Sequence, residues 1–311
     1  MSASQELELG SEVRALAAAL LTVPVRVPVA FGVRLLAPAR AELRRQVRRS
    51  LGMPRNPPRP AQDDADSFLP ADAVARRVHG DLPSMVIGGL AALLLQSLHP
   101  LAMAGVADHS NYKDDAIGRL RRTASFIAAT TFGSVDRAEA AIDEVRQVHR
   151  HVHGRAPDGR RYSANDPDLL TWVHVAEVHC FLAASQRYGP QRLTRPTQDR
   201  YFAETAGVAR ALGARAVPVT RDEVDAYFEC VQPELHAGRQ ALDARDFLLR
   251  GVATRPVDRL LYASIVAGAL SIVPRWARSE LGIDAHPLAD DLVVAPAGRS
   301  LCAVLRWGLR P

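Results

Sequence analysis

Apolar residues recur at helical spacing along most of the chain, and no convincing run of alternating apolar and polar residues marks a strand. The clearest segment is 134–154, where apolar residues stand three or four positions apart. Ser134 is a favoured helix N-cap residue, and Gly154 is a favoured C-cap residue. This segment is therefore predicted to be one amphipathic helix, and the whole pattern predicts an all-α fold.

Start and stop signals predict further helices on either side. Residues 114–133 begin with acids and end with glycine, which is typical of a complete helix. Proline at a first helical position and a capping box mark two later starts. These signals are Asp166-Pro167, which opens a helix to about Tyr188, and Thr220 with Glu223. A last apolar segment over 256–276 is predicted to be helical and interrupted at Pro274.

The most apolar stretch is 84–106. Polar residues and a proline interrupt its centre: Gln96, Ser97, His99 and Pro100. A lipid-facing helix rarely carries such residues at mid-span. The stretch is predicted to be a buried helix that ends near His99 and is followed by a turn, with a transmembrane helix as the alternative.

Composition divides the chain into three parts. Residues 1–53 form a basic, helical-looking N-terminal arm that packs on the core or lies on a membrane surface. Residues 54–71 hold five prolines and three aspartates and are predicted to be a proline-rich linker. Residues 72–311 are predicted to be a single all-α domain.

The distribution of charge limits the classes of binding partner that are expected for this chain. The net charge is +5, but the arginines are spread along the chain and aromatic residues make up only 5%. A nucleic-acid surface would cluster basic residues with aromatics, so no nucleic-acid partner is expected. The three cysteines are widely spaced and form no CxxC motif, and the first residues lack a basic signal-peptide region. A cytoplasmic location follows as an expectation, with peripheral membrane contact through residues 1–53 left open.

Histidine carries the clearest chemical signal, because seven of the ten histidines lie between His99 and His179. On the predicted helix, His149 falls on the apolar stripe between Val145 and Val152. His153, four residues on, shares roughly that face. An imidazole on an apolar face either bonds a backbone carbonyl or binds a metal, and the spacing leaves both readings open.

The two predicted helices that flank the 134–154 segment carry further polar candidate residues. Arg119, Arg122, Thr123 and Phe126 share one face of the 114–133 helix. Such a face suits a buried anion such as a carboxylate, a propionate or a phosphate, or else it is a solvated charged face. One helix later, His174 and Glu177 are one turn apart and can form a hydrogen-bonded pair or a weak metal site.

Three blocks in order resemble one family: HPLAMAGVADHSNYKDDAIGRLRRTASFIAATTFGS, VRQVHRHVHG and YSANDPDLLTWVH. They are similar to the MpaB-type oxygenases and rubber-cleaving latex-clearing proteins. The resemblance implies a globin-like helical core around haem b, with additional helices. It implies His149 as the proximal iron ligand, and Arg119 with Thr123 on the distal side. Arg122, Phe126, His153 and His174 are further cofactor-binding candidates.

The chain departs from the rubber-cleaving branch at two points. Arg122 stands where that branch has a lysine able to reach the iron, and arginine keeps its proton. That branch also has a glutamate base before the arginines, whereas 84–133 holds none, so Asp108 and His109 are the candidates for proton transfer. Those relatives are exported, and this chain shows no export signal, so a polymer substrate is not expected.

The resulting hypothesis is a haem b-dependent oxygenase that acts on a small hydrophobic substrate, unsaturated ones included, with dioxygen or peroxide. Its oligomeric state stays open. One alternative is a non-catalytic haem-binding or sensing protein, and another is a haem-free helical protein associated with membranes. A further alternative is a non-haem iron site built from His149, His153, His174 and Glu177.

Overall fold

The computed structural model describes residues 66–250, 256–284 and 287–309. The predicted arm 1–53 and linker residues 54–65 lie outside the described residues. The described part is mostly helical, which confirms the all-α prediction. Its first helices are α1 Val74–His79, α2 Leu82–Gln96, α3 Pro100–His109, α4 Ala116–Phe132 and α5 Val135–His149.

A short hairpin separates these helices from the rest. Strands β1 His153–Arg155 and β2 Arg161–Ser163 pair antiparallel, with Gly154 opposite Tyr162. The later helices are α6 Pro167–Tyr188, α7 Arg195–Leu212, α8 Arg221–Val231, α9 Arg239–Arg250, α10 Pro256–Leu270, α11 Arg275–Glu280, α12 Pro287–Ala289 and α13 Ala295–Leu309.

The core is built on α2 and α6, which lie side by side. Gly88 of α2 faces Phe181 of α6, and near the other end Trp172 Nε1 donates to the Gln96 carbonyl at 3.3 Å. These two contacts show that the helices run antiparallel. The main apolar core surrounds them and contains fully buried Leu94, Leu95, Trp172, Tyr188, Tyr201 and Phe202. Both helices are buried on several faces, which explains their apolar sequences.

The close approach of α2 to α6 predicts opposite effects for two neighbouring glycines. A Cβ at Gly88 would lie 3.0 Å from the Cys180 carbonyl oxygen and 3.1 Å from Phe181 Cα, whereas a Cβ at Gly89 meets only Phe181 Cε1 at 3.9 Å. Gly88→Ala is expected to lower the free energy of unfolding by about 1–3 kcal/mol, because backbone atoms must move. Gly89→Ala is expected to raise it by up to about 1 kcal/mol, the ordinary gain of alanine over glycine in a helix.

Urea unfolding followed by circular dichroism checks this pair of glycine variants. Both substitutions add one methyl group to the same helix, so each serves as the control for the other. Equal changes in stability at the two positions would show that the close approach of α2 to α6 is not what limits position 88.

The helix boundaries confirm most of the cap signals. Ser134 accepts from the Arg137 amide, Asp166 Oδ1 from the Asp168 amide at 2.9 Å, and Thr220 Oγ1 from the Glu223 amide at 3.2 Å. Helix α4 ends at Gly133 as predicted, and Asp115 caps its start. The interruption predicted at Pro274 is also confirmed, since α10 ends at Leu270 and α11 begins at Arg275.

One predicted helix is too long. The 134–154 segment leaves the helix after His149, and Gly154 is a strand residue instead of a C-cap. The cause is the Pro-Asp-Gly sequence at 157–159, which folds the chain back so that 153–155 pair with 161–163. Gly154 is needed there, because a Cβ would lie 2.6 Å from the Tyr162 hydroxyl oxygen.

The apolar stretch 84–106 is divided between two helices. Helix α2 ends at Gln96, three residues before His99, and α3 starts at Pro100, where a turn alone was predicted. Among the described residues, no single helix has both the length and the apolar character to cross a membrane. The α2–α3 pair meets that criterion only jointly, and it is bent by 106°. Most of the α2 side chains are buried inside the protein, as predicted.

Candidate functional site

Helix α4 presents the polar face that the sequence marked. Arg119 is partly buried, and its Nη1 donates to Ser110 Oγ at 2.7 Å. Burial and the neighbouring Arg122 guanidinium lower the pKa of Arg119. Thr123 lies one turn further along and is exposed, and Phe126 follows it as a half-buried residue. Arg119 is thus a cation partly withdrawn from water that keeps further donors for an anion.

Arg122 behaves differently from Arg119. Its side chain is 71% exposed and forms an ion pair with Asp115, at 3.2 Å between Nη1 and Oδ2. Only Arg119 of the two is therefore partly withdrawn from solvent. Arg122 therefore belongs to a solvated charged face. Arg119 is still suited to pair with a buried anion.

His149 is the last residue of α5, and its imidazole is partly buried. Its Nδ1 is buried without a hydrogen bond to any described residue. Burial lowers the pKa of His149, and a hydrogen bond with the main chain of Ala164 partly opposes that shift. The ring is therefore neutral at pH 7. A neutral imidazole with an unused ring nitrogen is the form that binds a metal.

His153 does not share a helix face with His149, so this expectation is wrong. The chain turns into β1 after α5, and His153 is an exposed strand residue. Its carbonyl accepts a hydrogen bond from His109 Nε2 at 3.2 Å. His153 therefore offers its main chain to the neighbouring helix.

Asp108 and His109 lie together at the end of α3, against the hairpin. The Tyr162 hydroxyl donates to Asp108 Oδ2 at 2.5 Å, and the Tyr162 ring meets the His109 ring edge to face. Ser110, the next residue, holds Arg119. The structure thus brings Arg119, Asp108, His109 and the segment after His149 into one region. Asp108 and His109 are both exposed there.

His174 lies elsewhere, within the helical core. It is enclosed by protein on α6, where burial and the charge of Arg210 lower its pKa to about 4. Glu177 is one turn further along, and no hydrogen bond joins the two side chains among the described residues. Burial alone raises the pKa of Glu177 to about 7. The predicted hydrogen-bonded pair is therefore not formed.

The positions of the possible metal ligands in the structure test the non-haem iron hypothesis. Within 66–250, 256–284 and 287–309, no group of three or more His, Cys, Asp or Glu side chains is placed to hold a metal ion. His153 is on the exposed hairpin, whereas His174 and Glu177 are inside the helices. The four-residue site built from His149, His153, His174 and Glu177 is therefore not present.

Sequence reasoning missed a buried polar contact between three helices. His79 of α1 lies with Nδ1 2.8 Å from Thr131 Oγ1 of α4, and with Nε2 3.0 Å from the Tyr201 hydroxyl of α7. Burial, and to a smaller extent the charge of His174, lowers the pKa of His79 to about 3. His79 lies before the histidine-rich segment, so the spacing of the histidines in the sequence did not mark it as a candidate residue. Only packing places its partners 52 and 122 residues away.

Exposed apolar side chains stand next in sequence to two of the candidate residues on α4 and α5. Leu120 is 42% exposed beside Arg119, and Val148 is 57% exposed beside His149. A planar cofactor with an apolar ring, a metal centre and anionic groups needs apolar surface, a neutral histidine and a cation. These residues offer all three, so the donor set fits haem.

Comparison with models of protein families shows to which family the chain belongs. The model described as ER-bound oxygenase mpaB/B'/Rubber oxygenase, catalytic domain, matches residues 76–307. The chain belongs to this family. Comparison with curated proteins and comparison with solved structures gave no match.

The match covers most of the described helices of this mpaB/rubber oxygenase family member. It begins within α1 and ends within α13, so it includes Arg119, Thr123 and His149. Residues 1–53 and the linker 54–71 lie outside it. The all-α oxygenase catalytic domain inferred from the three sequence blocks is confirmed. The globin-like arrangement, the domain boundaries and the roles of the site residues stay predictions.

Proposed function

We propose that the protein is a haem b-dependent oxygenase that acts on a small hydrophobic substrate, including unsaturated compounds, with dioxygen or peroxide. The observation that carries the proposal is His149, a neutral imidazole whose buried Nδ1 has no partner among the described residues. It ends the helix next to α4, in a chain of the mpaB/rubber oxygenase family. An unsatisfied buried polar atom calls for an explanation, and catalytic or ligand-binding duty is one such explanation.

The residues that would hold the haem follow from their chemistry. His149 would supply a ring nitrogen to the iron, Arg119 would pair with a propionate, and Phe126 would pack on the apolar ring. Arg122 is exposed and would contact a propionate only at the rim. When bound, haem supplies the activation of dioxygen or peroxide that no amino-acid side chain provides.

The remaining site residues would act on the substrate side. Leu120 and Val148 offer apolar surface, which favours a hydrophobic substrate. The Thr123 hydroxyl can donate a hydrogen bond to a reacting oxygen. Asp108 and His109 can pass protons toward the surface, because both are exposed and both are bonded to the hairpin.

The proposal includes a subcellular location and a membrane contact. The protein would work in the cytoplasm, with peripheral membrane contact through residues 1–53 and no nucleic-acid partner. The basic character of residues 1–53 supports contact with an anionic membrane surface, and the scattered arginines do not form the basic cluster that a nucleic-acid partner needs. Binding to anionic vesicles before and after removal of residues 1–53 measures that contact.

The experiment that tests the proposed function is an absorption spectrum of the full chain, expressed with a haem precursor, combined with a pyridine haemochrome assay. We expect a Soret band and one b-type haem per chain. Dioxygen consumption with a panel of hydrophobic alkenes then measures turnover.

Each other outcome of that experiment identifies an alternative. A Soret band without turnover by any reductant, alkene or peroxide would indicate a haem-binding or sensing protein. A colourless protein that takes up no added hemin would contradict the haem site. Vesicle binding by such a protein would support the membrane-associated alternative.

A further inference from the structure

The end of α3 holds both the β1–β2 hairpin and helix α4. Asp108 Oδ2 accepts a hydrogen bond from the Tyr162 hydroxyl of β2 at 2.5 Å. Two residues later, Ser110 Oγ accepts one from Arg119 Nη1 of α4 at 2.7 Å. One short segment of α3 and its end therefore fixes a strand on one side and the partly buried cation of the candidate site on the other.

The hairpin depends on α3 for its position. Each of its strands has three residues, and a two-stranded hairpin is marginally stable at best by itself in water. Among these six strand residues, only Tyr162 is buried. Its ring packs on α3, where a Cβ at Gly105 would lie 3.6 Å from Tyr162 Cε2, and it meets the His109 ring edge to face. Tyr162 is therefore the side chain that anchors the hairpin.

The hairpin also contacts the turn that follows His149. The Val152 amide donates to the His149 carbonyl at 3.1 Å, and the Ala164 amide donates to the Val152 carbonyl at 2.8 Å. Ala164 comes two residues after Tyr162, and its main chain forms a hydrogen bond with the His149 imidazole. The position of β2 therefore sets the main chain against which that ring is held.

We propose that Tyr162 is a positioning residue of the candidate site, which keeps His149 and Arg119 in fixed relative positions through the hairpin and the end of α3. Its hydroxyl ties β2 to Asp108, and a carboxylate acceptor makes this hydrogen bond stronger than one between two neutral groups. Outer contacts of this kind orient the residues that hold a metal centre. The inference rests on the proposed haem site.

Hemin titration of the full chain, prepared without haem, tests this role. Tyr162→Phe keeps the ring and its packing on Gly105 and His109, but it loses the hydrogen bond to Asp108. The dissociation constant for hemin is expected to rise roughly 10-fold, as it does when an outer contact of a metal ligand is removed. The Soret maximum of the loaded variant is expected to shift, because the His149 ring is no longer held in one orientation.

Substitutions at Asp108 separate the hydrogen bond from the side chains that form it. Asp108→Asn keeps an oxygen that can accept the Tyr162 hydroxyl, so the hemin dissociation constant is expected to stay near the wild-type value. Asp108→Ala removes the acceptor and is expected to match Tyr162→Phe. The double variant Tyr162→Phe with Asp108→Ala is expected to bind hemin no more weakly than either single variant, because all three lose the same hydrogen bond.

Tyr188→Phe is the matched control for a general loss of stability. The Tyr188 hydroxyl is also bonded inside the protein, 2.6 Å from Ser271 Oγ. Tyr188 is the last residue of α6, about 30 Å along that helix from the end that follows β2. Urea unfolding is expected to show that Tyr162→Phe and Tyr188→Phe are both less stable than the wild type, since each loses one hydrogen bond. Only Tyr162→Phe is expected to change hemin binding.

Three results would overturn the inference. The first is a Tyr162→Phe protein with the wild-type hemin dissociation constant and Soret maximum. The second is equal weakening of hemin binding by Tyr162→Phe and Tyr188→Phe, which would show an effect of stability alone. The third is a double variant in which the effects of Tyr162→Phe and Asp108→Ala add. Failure of the proposed function is distinct, because the wild type itself would then show no Soret band, and the inference would fall with it.

Discussion

Replacement of His149 by alanine is expected to remove the haem, with loss of the Soret band and a haem content near zero per chain. His149 is the neutral, partly buried imidazole at the end of α5, with an unpartnered Nδ1. Alanine removes that ring nitrogen, and neither His153 on the exposed hairpin nor His174 in the helical core is placed to replace it. The pyridine haemochrome assay measures the loss directly.

Thr123→Ala is the control for that experiment. Thr123 is exposed on α4 and offers a hydroxyl group, not a ligand to iron. Its removal is expected to leave the haem content unchanged while turnover falls. Circular dichroism of both variants confirms that the helices remain. An His149→Ala protein with wild-type haem content and spectrum would show that another residue is the ligand.

The second large effect concerns the attachment of the last helix. Arg306 of α13 binds both carboxylate oxygens of Asp81, at 2.6 Å each, and also donates to the Tyr188 carbonyl. The two side chains are only 18% and 9% exposed. Asp81→Ala leaves the guanidinium enclosed without its anion, so the free energy of unfolding is expected to fall by roughly 3 kcal/mol.

The pH dependence of this ion pair has a definite sign. Burial acts to raise the pKa of Asp81, but the hydrogen bonds and charge of Arg306, with a contribution from Ser84, outweigh it and lower the pKa. The stabilisation is therefore fully present above the ordinary value of 3.8 and is lost as the pH falls through the lowered value. Asp81→Ala should remove this acid-sensitive part of the stability.

Asp72→Ala is the matched control, because Asp72 pairs with Arg200 at the surface. Its loss is expected to cause no measurable change in stability. Urea unfolding at pH 7 compares the two variants. The double variant Asp81→Leu with Arg306→Met is expected to regain most of the lost stability, because no unpaired charge remains. Equal stability of Asp81→Ala and Asp72→Ala would contradict a structural role for the buried pair.

The sequence by itself determined the helical class and most helix ends. Ser134, Asp166 and Thr220 act as caps because their side chains satisfy amides of the following turn, which is a local interaction. Three ordered sequence blocks also indicated the oxygenase family, and the family match over residues 76–307 confirms it.

Only the tertiary structure decided what the marked residues contact. Arg119 and Arg122 share a helix face, yet one reaches Ser110 and the other pairs with Asp115 at the surface. Helical spacing placed His153 beside His149, but pairing of β1 with β2 ended the helix first. Strand pairing depends on residues further along the chain, so helical periodicity could not reveal it.

The buried polar groups show the same limit most clearly. The contacts of His79 come from α4 and α7, far away in sequence, and the raised pKa of Glu177 comes from the enclosing helices alone. Helical spacing showed that Glu177 is one turn from His174. Desolvation depends on every neighbour around a group, and those neighbours exist only once the helices have packed.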